Sequence, residues 1–135
     1  MANALYDKGR EGFLDGSIDW DTDNIAVDLV DLADYVVDLA NHQFRSDVPA
    51  IARVSTSANL TLKTVTAGVA DAADITFSAV SGDQSEALII YQNTGVDTTS
   101  RLIAFIDTAT GLPVLPNGGD IGVTWSEGAD KIFKL

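Results

Sequence analysis

Two apolar runs separated by a short polar loop dominate residues 86–107, which read EALIIYQNTGVDTTSRLIAFID. Residues 86–92 are almost entirely apolar, and residues 101–107 repeat that character. A run whose side chains are apolar on both faces is typical of a strand that other parts of the protein cover on both faces. The Asn-Thr-Gly sequence at 93–95 has the residue types that favour a turn. The sequence therefore predicts two buried strands here, the first of them central in its sheet.

The rest of the sequence from Ile51 onward also indicates β-strands, with shorter apolar runs. Short alternating runs rich in Thr, Val, Ile and Ser are separated by turn residues, and a Gly- and Pro-containing stretch predicts a long loop at 110–119. Strands that recur at short intervals without a helical pattern are typical of an antiparallel sandwich or barrel. The predicted strands are 60–65, 74–80, 86–92, 101–107, 121–125 and 131–135, with a turn at Ala67-Gly68 or at 70–73.

Residues 25–40, which read IAVDLVDLADYVVDLA, fit two patterns. Ile25, Val27 and Leu29 fall at alternate positions, as the residues on one face of a strand do. Apolar residues also recur at helical spacing, at Ile25, Leu29, Leu32, Val36 and Leu39. A helix would bring several aspartates together without a compensating Lys or Arg, which is unfavourable. We therefore expect a strand over 24–31 and then irregular chain with one helical turn before Arg45, with a helix over 32–40 as the alternative.

The composition excludes several classes of function. A chain of 135 residues with 46% hydrophobic residues is expected to fold as one domain. Cysteine is absent, which excludes disulfide frameworks, cysteine zinc sites and thiol catalysis. With 8 basic and 20 acidic residues the formal charge is −12, so nucleic-acid backbones and anionic membranes are disfavoured as partners.

Candidate catalytic and metal-binding residues are few. His42 is the only histidine, and no serine lies in a nucleophile-elbow motif, so we expect the ring to hold its loop by bonding a backbone carbonyl. Asp19, Asp21 and Asp23 resemble the start of a calcium loop. Positions six and twelve of that loop would be Asn24 and Val30 instead of Gly and Glu, so an acidic turn is favoured over a calcium site. We predict no catalytic residues, no cofactor and no metal.

The N-terminal part combines charge with large apolar side chains. Residues 1–50 hold 11 of the 20 acidic residues. An acidic segment interrupted by large apolar groups is expected to dock on another surface. We predict an extended N-terminal docking segment over 1–23 and a single β-sandwich domain over 24–135. The expected partner contacts, unless these side chains merely cover their own sandwich, are Leu5, Tyr6, Phe13 and Trp20.

Several short motifs follow one another along the chain. IAVDLVD at 25–31 precedes Asp34-Tyr35 and HQFRSDV at 42–48, and the later motifs are DITF at 74–77, EALIIY at 86–91, SRLIAFID at 100–107 and KIF at 131–133. In this order and spacing, the motifs resemble small structural proteins of tailed-bacteriophage virions, of the capsid decoration (cement) or head-fibre type. Val36-Val37-Asp38 departs from that family, in which Thr-Val-Asn or Thr-Pro-Asn is usual.

The resemblance implies a non-enzymatic virion protein whose fold is an all-β, antiparallel β-sandwich of jelly-roll type. It leaves open which part of the virion the chain forms, and our first hypothesis is a decoration protein that moves from the host cytoplasm to the outer capsid surface and stabilises contacts between major capsid subunits. The partners expected from it are the major capsid protein and further copies of this chain in a homotrimer, with no nucleic acid and no membrane. The alternative is a tail or fibre component that binds other virion proteins or a host glycan. A hydrolase is the function that the sequence favours least.

Overall fold

Five antiparallel strands form the central sheet of the computed structural model, which describes residues 3–135. The elements are β1 (Ala4–Leu5), α1 (Asp7–Asp15), β2 (Ile25–Val30), β3 (Arg53–Thr56), β4 (Thr64–Thr66), β5 (Val69–Asp71), β6 (Ile75–Phe77), β7 (Ala87–Gln92), β8 (Leu102–Ile106), β9 (Ile121–Val123) and β10 (Phe133–Lys134). The strand order of the central sheet is β1-β8-β7-β2-β3, and two smaller antiparallel sheets have the orders β10-β5-β4 and β6-β9. Short 3₁₀ turns precede β3 at Arg45–Asp47 and Ala50–Ala52.

Strands β7 and β8 lie at the centre of the main sheet. β7 pairs with β2 from Ile25↔Gln92 to Val30↔Ala87, and it pairs with β8 on its other side. Residues 87–91 of β7 are all buried. The prediction of a central strand covered on both faces is therefore confirmed, as is the mostly β, antiparallel character of the chain.

The two faces of the central sheet are covered by different kinds of structure. One face packs against the smaller sheets and the segment before β2, through a cluster that includes Trp20, Phe77 and Trp125. The opposite face is covered by the irregular chain between β2 and β3, which contributes Tyr35 and Val48. The absence of a helix over 32–40 agrees with the predicted irregular chain.

The N-terminal residues do not form an extended segment. Residues 1 and 2 of the predicted 1–23 segment lie outside the described residues, and Asp7–Asp15 form α1, so the prediction of extended chain is wrong there. The Tyr6 N–H donates to the Ile103 carbonyl oxygen at 3.0 Å, and α1 continues along β8. Gly9 permits this approach, because a Cβ there would lie 2.7 Å from the Leu102 carbonyl oxygen. Glycine is a poor helix former, which concealed the helix in the sequence.

The remaining predicted strands differ from the structure mainly in their bounds. The strands at 24–31, 121–125 and 131–135 are present as β2, β9 and β10, and the one at 60–65 is displaced to β4. The predicted turn at Ala67-Gly68 is confirmed, with positive φ at both residues, whereas the alternative turn at 70–73 is wrong because β5 begins at Val69. No helix within the described part of the chain has the length and apolar character needed to cross a membrane.

Candidate functional site

A buried charge network links the central sheet to the irregular chain that covers it. Asp28, in the middle of β2, accepts hydrogen bonds from Arg45 Nε and Nη2 at 2.8 Å each and from Thr56 Oγ1 at 2.7 Å. Arg45 Nη1 also donates to Asp97 at 3.0 Å, and Arg53 donates to the same carboxylate. These hydrogen bonds to Asp28 raise the pKa of Arg45, so the guanidinium stays charged. The network therefore links the irregular chain around Arg45 to β2.

His42 belongs to a second polar network beneath the same cover. The Tyr6 hydroxyl lies 3.0 Å from the Tyr35 hydroxyl, which lies 2.8 Å from His42 Nδ1. The bond to a backbone carbonyl that we predicted for His42 is replaced by this side-chain contact. Burial raises the pKa of Tyr6, and burial also raises the pKa of Tyr35 to about 12. Both hydroxyls thus remain neutral and serve as hydrogen-bonding groups that position the chain after β2.

The aspartates at 19–23 form an acidic turn. The Asp23 carboxylate accepts the Asp19 N–H at 2.8 Å and the Gln92 side-chain amide at 2.7 Å, so it stabilises the turn against β7. Asp19 and Asp21 are exposed, and the hydrogen bond between them raises the pKa of Asp21 and lowers that of Asp19. The predicted acidic turn is confirmed, and its exposed members face solvent beside an apolar groove.

A second carboxylate group lies at the opposite end of β2. Asp31, Asp34 and Asp83 place carboxylate oxygens within 4.8 Å of one another. Asp31 Oδ1 accepts the Ala33 N–H at 2.8 Å, and the nearby Glu86 accepts the Leu32 N–H at 2.9 Å. Burial raises the pKa of Glu86. The Asp31 and Glu86 carboxylates thus hold the turn that follows β2.

An open apolar groove lies between the C-terminal end of α1 and the β10-β5-β4 sheet. We call it the N-terminal groove; it has a volume of about 330 Å³. Phe133 forms its centre, with ring centroids 5.2 Å from Trp20 and 5.9 Å from Phe13. Exposed apolar residues border it, and Val65 retains 57% of its accessible surface. The residues that line it are Phe13, Gly16, Ile18, Asp19, Trp20, Asp21, Val65, Gly68, Val69, Ala70, Phe133 and Leu135.

The groove contains two of the four predicted contact residues. Half-buried Phe13 and buried Trp20 line it, whereas Leu5 and Tyr6 are buried inside the chain on opposite faces of the central sheet. Leu5 and Tyr6 thus pack inside their own chain, which is the alternative given above for the four predicted contact residues, and their side chains are not exposed to a partner. Sequence reasoning did not identify Val65 as a groove residue, because its contribution depends on how β4 is placed beside residues 13–21.

A larger cleft of about 600 Å³ lies between the central sheet and β9. Its walls include Leu88, Ile106, Val123 and Trp125, which belong to or pack on the main core cluster. Trp125 is buried and its indole N–H donates to the Ala73 carbonyl oxygen at 3.0 Å. The cleft is therefore a gap between packed layers, and Trp125 is not an exposed stacking platform for a sugar ring.

The polar networks and the N-terminal groove have different chemistry. The side chains of the networks bond mainly one another within the chain. The groove is open, with apolar walls and carboxylates beside it. Apolar surface of this kind that reaches solvent is typical of a site for protein contacts. No protein-family model matches the chain, and no curated protein sequence matches it significantly.

Proposed function

We propose that this protein decorates the outer surface of an assembled bacteriophage capsid and stabilises contacts between major capsid subunits. The observation that carries the proposal is the N-terminal groove, which leaves apolar surface of Phe13 and Val65 open beside exposed carboxylates. The order of sequence motifs that resemble virion structural proteins supports the same assignment. The mostly antiparallel β structure is compatible with the jelly-roll sandwich that we propose for the fold class.

The placement of the polar side chains favours a binding role over a catalytic one. His42 is engaged with the Tyr35 hydroxyl, and Asp28 is held on three sides by Arg45 and Thr56. A general acid or base needs a proton-exchanging group that can reach a substrate. The groups here instead fasten one layer of the fold to the next, and the groove supplies the accessible surface.

A decoration role also agrees with the charge of the chain. A protein that binds only the assembled lattice stabilises that lattice by mass action. Its formal charge of −12 keeps such a protein away from phosphate backbones before it docks. We propose that it docks as homotrimers at the three-fold positions of the lattice, where one copy can bridge neighbouring capsid subunits.

The direct test is to mix the purified protein with expanded empty capsids and with purified tails of the phage that encodes it. We expect saturable binding to capsids with about three copies per three-fold position, and a higher melting temperature of the decorated shells. Binding to tails but not to capsids would instead support the tail or fibre alternative. Absence of binding to capsids would overturn the decoration role.

A further inference from the structure

We propose that the N-terminal groove binds a segment of the major capsid protein that presents one aliphatic or aromatic side chain flanked by Lys or Arg. This inference rests on the proposed function and specifies the chemistry of the contact. Two features of the groove carry it: an apolar layer that reaches solvent at Val65, and two exposed carboxylates, Asp19 and Asp21, in a chain with a formal charge of −12.

The apolar residues that line the groove continue a row of side chains that begins in the hydrophobic core and ends at solvent. Val65 pairs with Ala70, and Ala70 pairs with Phe133, so the three side chains lie in one row on the same face of the small sheet. Ala70 is buried, whereas Val65 at the end of the row is 57% exposed. An apolar side chain placed beside Val65 would extend this row and remove further apolar surface from water. The edge of β4 is therefore suited to an inserted side chain.

The acidic side of the groove favours a basic partner. Asp19 and Asp21 line it, and both carboxylates are exposed. The interaction with Asp19 raises the pKa of Asp21, and nearby Lys63 offsets the effect only in part. Lys63 donates to the Asp23 carbonyl oxygen and so is already engaged. Cations brought by a partner would relieve the repulsion between the two carboxylates.

A second copy of this chain is a poorer occupant than another protein. Most of its cations are already paired with carboxylates of the same chain, namely Lys8, Arg10, Arg45, Arg53 and Lys131. Cations of a different protein therefore complement Asp19 and Asp21 better, and the capsid surface is the partner that the proposed function supplies.

The experiment measures binding to expanded empty capsids with two pairs of matched variants. Asp19→Asn/Asp21→Asn removes the groove charges and keeps the side-chain shapes, and Asp83→Asn/Asp130→Asn removes two exposed charges elsewhere. We expect the first pair to weaken binding about fivefold at low salt and the second to change it less than about twofold. Raising the salt concentration should weaken the wild-type protein more than the Asp19/Asp21 variant, because exposed charges are screened.

The apolar contact has its own matched pair. Val65→Thr keeps the size and β propensity of the side chain but places a hydroxyl in the groove, whereas Val96→Thr makes the same change at a loop residue that is 55% exposed. We expect Val65→Thr to weaken capsid binding about fivefold and Val96→Thr to leave it unchanged. Both variants should melt at the wild-type temperature, since both sites are open to solvent.

The outcomes separate this inference from the proposed function. If the wild-type protein binds capsids and the groove variants bind equally well, the groove is not the contact and only the inference is overturned. If the wild-type protein does not bind capsids, both are overturned. If Val65→Thr dissociates an oligomer of the free protein in sedimentation experiments, a second copy fills the groove and the basic partner is ruled out.

Discussion

Replacing Asp28 by Asn tests whether the buried ion pair holds the cover of the central sheet in place. The Asp28 side chain is 1% exposed and accepts three hydrogen bonds of 2.7–2.8 Å, two of them from Arg45. An amide would direct an N–H₂ group at the guanidinium and leave a buried charge without its partner. Removal of one member of a buried pair costs about 3–5 kcal/mol. Arg45 keeps Asp97 and is itself 16% exposed, so we expect a loss of about 3 kcal/mol.

The assay is urea unfolding followed by tryptophan fluorescence. With a denaturant slope of about 2 kcal/mol per molar, a loss of about 3 kcal/mol lowers the midpoint by about 1.5 M. The control is Asp130→Asn, because Asp130 is exposed and its replacement should change the free energy of unfolding by less than about 0.5 kcal/mol.

A double variant examines the mechanism of the loss. Asp28→Leu/Arg45→Met replaces both charges by apolar groups, so neither charge remains buried without its partner. It should therefore be more stable than Asp28→Asn. The reasoning is refuted if Asp28→Asn unfolds within about 0.3 M urea of the wild-type protein, or if the double variant is the less stable of the two.

Three further changes address the core, the N-terminal helix and the buried tyrosines. Trp20→Ala should lower the free energy of unfolding by about 3–5 kcal/mol in thermal melts, and an unchanged melting temperature would contradict the burial of this ring. Gly9→Ala should destabilise by about 1–3 kcal/mol in urea unfolding, because its Cβ would meet the Leu102 carbonyl oxygen, and any stabilisation would contradict the close approach. Burial raises the pKa of both Tyr35 and Tyr91 to about 12. The free energy of unfolding should therefore be constant below about pH 10 and fall between about pH 10 and 12, because in that range these tyrosines ionise only in the unfolded chain. The free energy of unfolding should then fall by about 1.4 kcal/mol per pH unit for each tyrosine, which lowers the urea midpoint by about 0.7 M at a slope of about 2 kcal/mol per molar, and a constant midpoint would refute this.

The central strands could be predicted because their signal is local. β7 and β8 consist of apolar residues that face two covered sides, and no other element gives such a run. Asp28 could not be interpreted in the same way. A polar residue between apolar ones usually indicates a solvent face, but here the partner that permits burial, Arg45, comes from a later loop.

The errors at the N-terminus have a related cause. Gly9 and Gly12 lower the helix propensity of Asp7–Asp15, yet the contact with β8 requires a residue without a Cβ at Gly9. The groove could be predicted only in part, because it too depends on contacts between distant parts of the chain. Phe13 and Trp20 stand out in an acidic segment, whereas Val65 is ordinary in its own strand and matters only through its position beside them.

The pairing of β1 with β8 has a consequence for synthesis in the cell. Ala4 pairs with Phe105, so β1 acquires its neighbouring strand only after the residues between them have been synthesised. Until then Leu5 and Tyr6 lack the strand that β1 pairs with, and contacts between such distant residues form slowly. The central sheet therefore closes late, and a product whose translation stops before β8 leaves its N-terminal apolar residues available to chaperones and proteases.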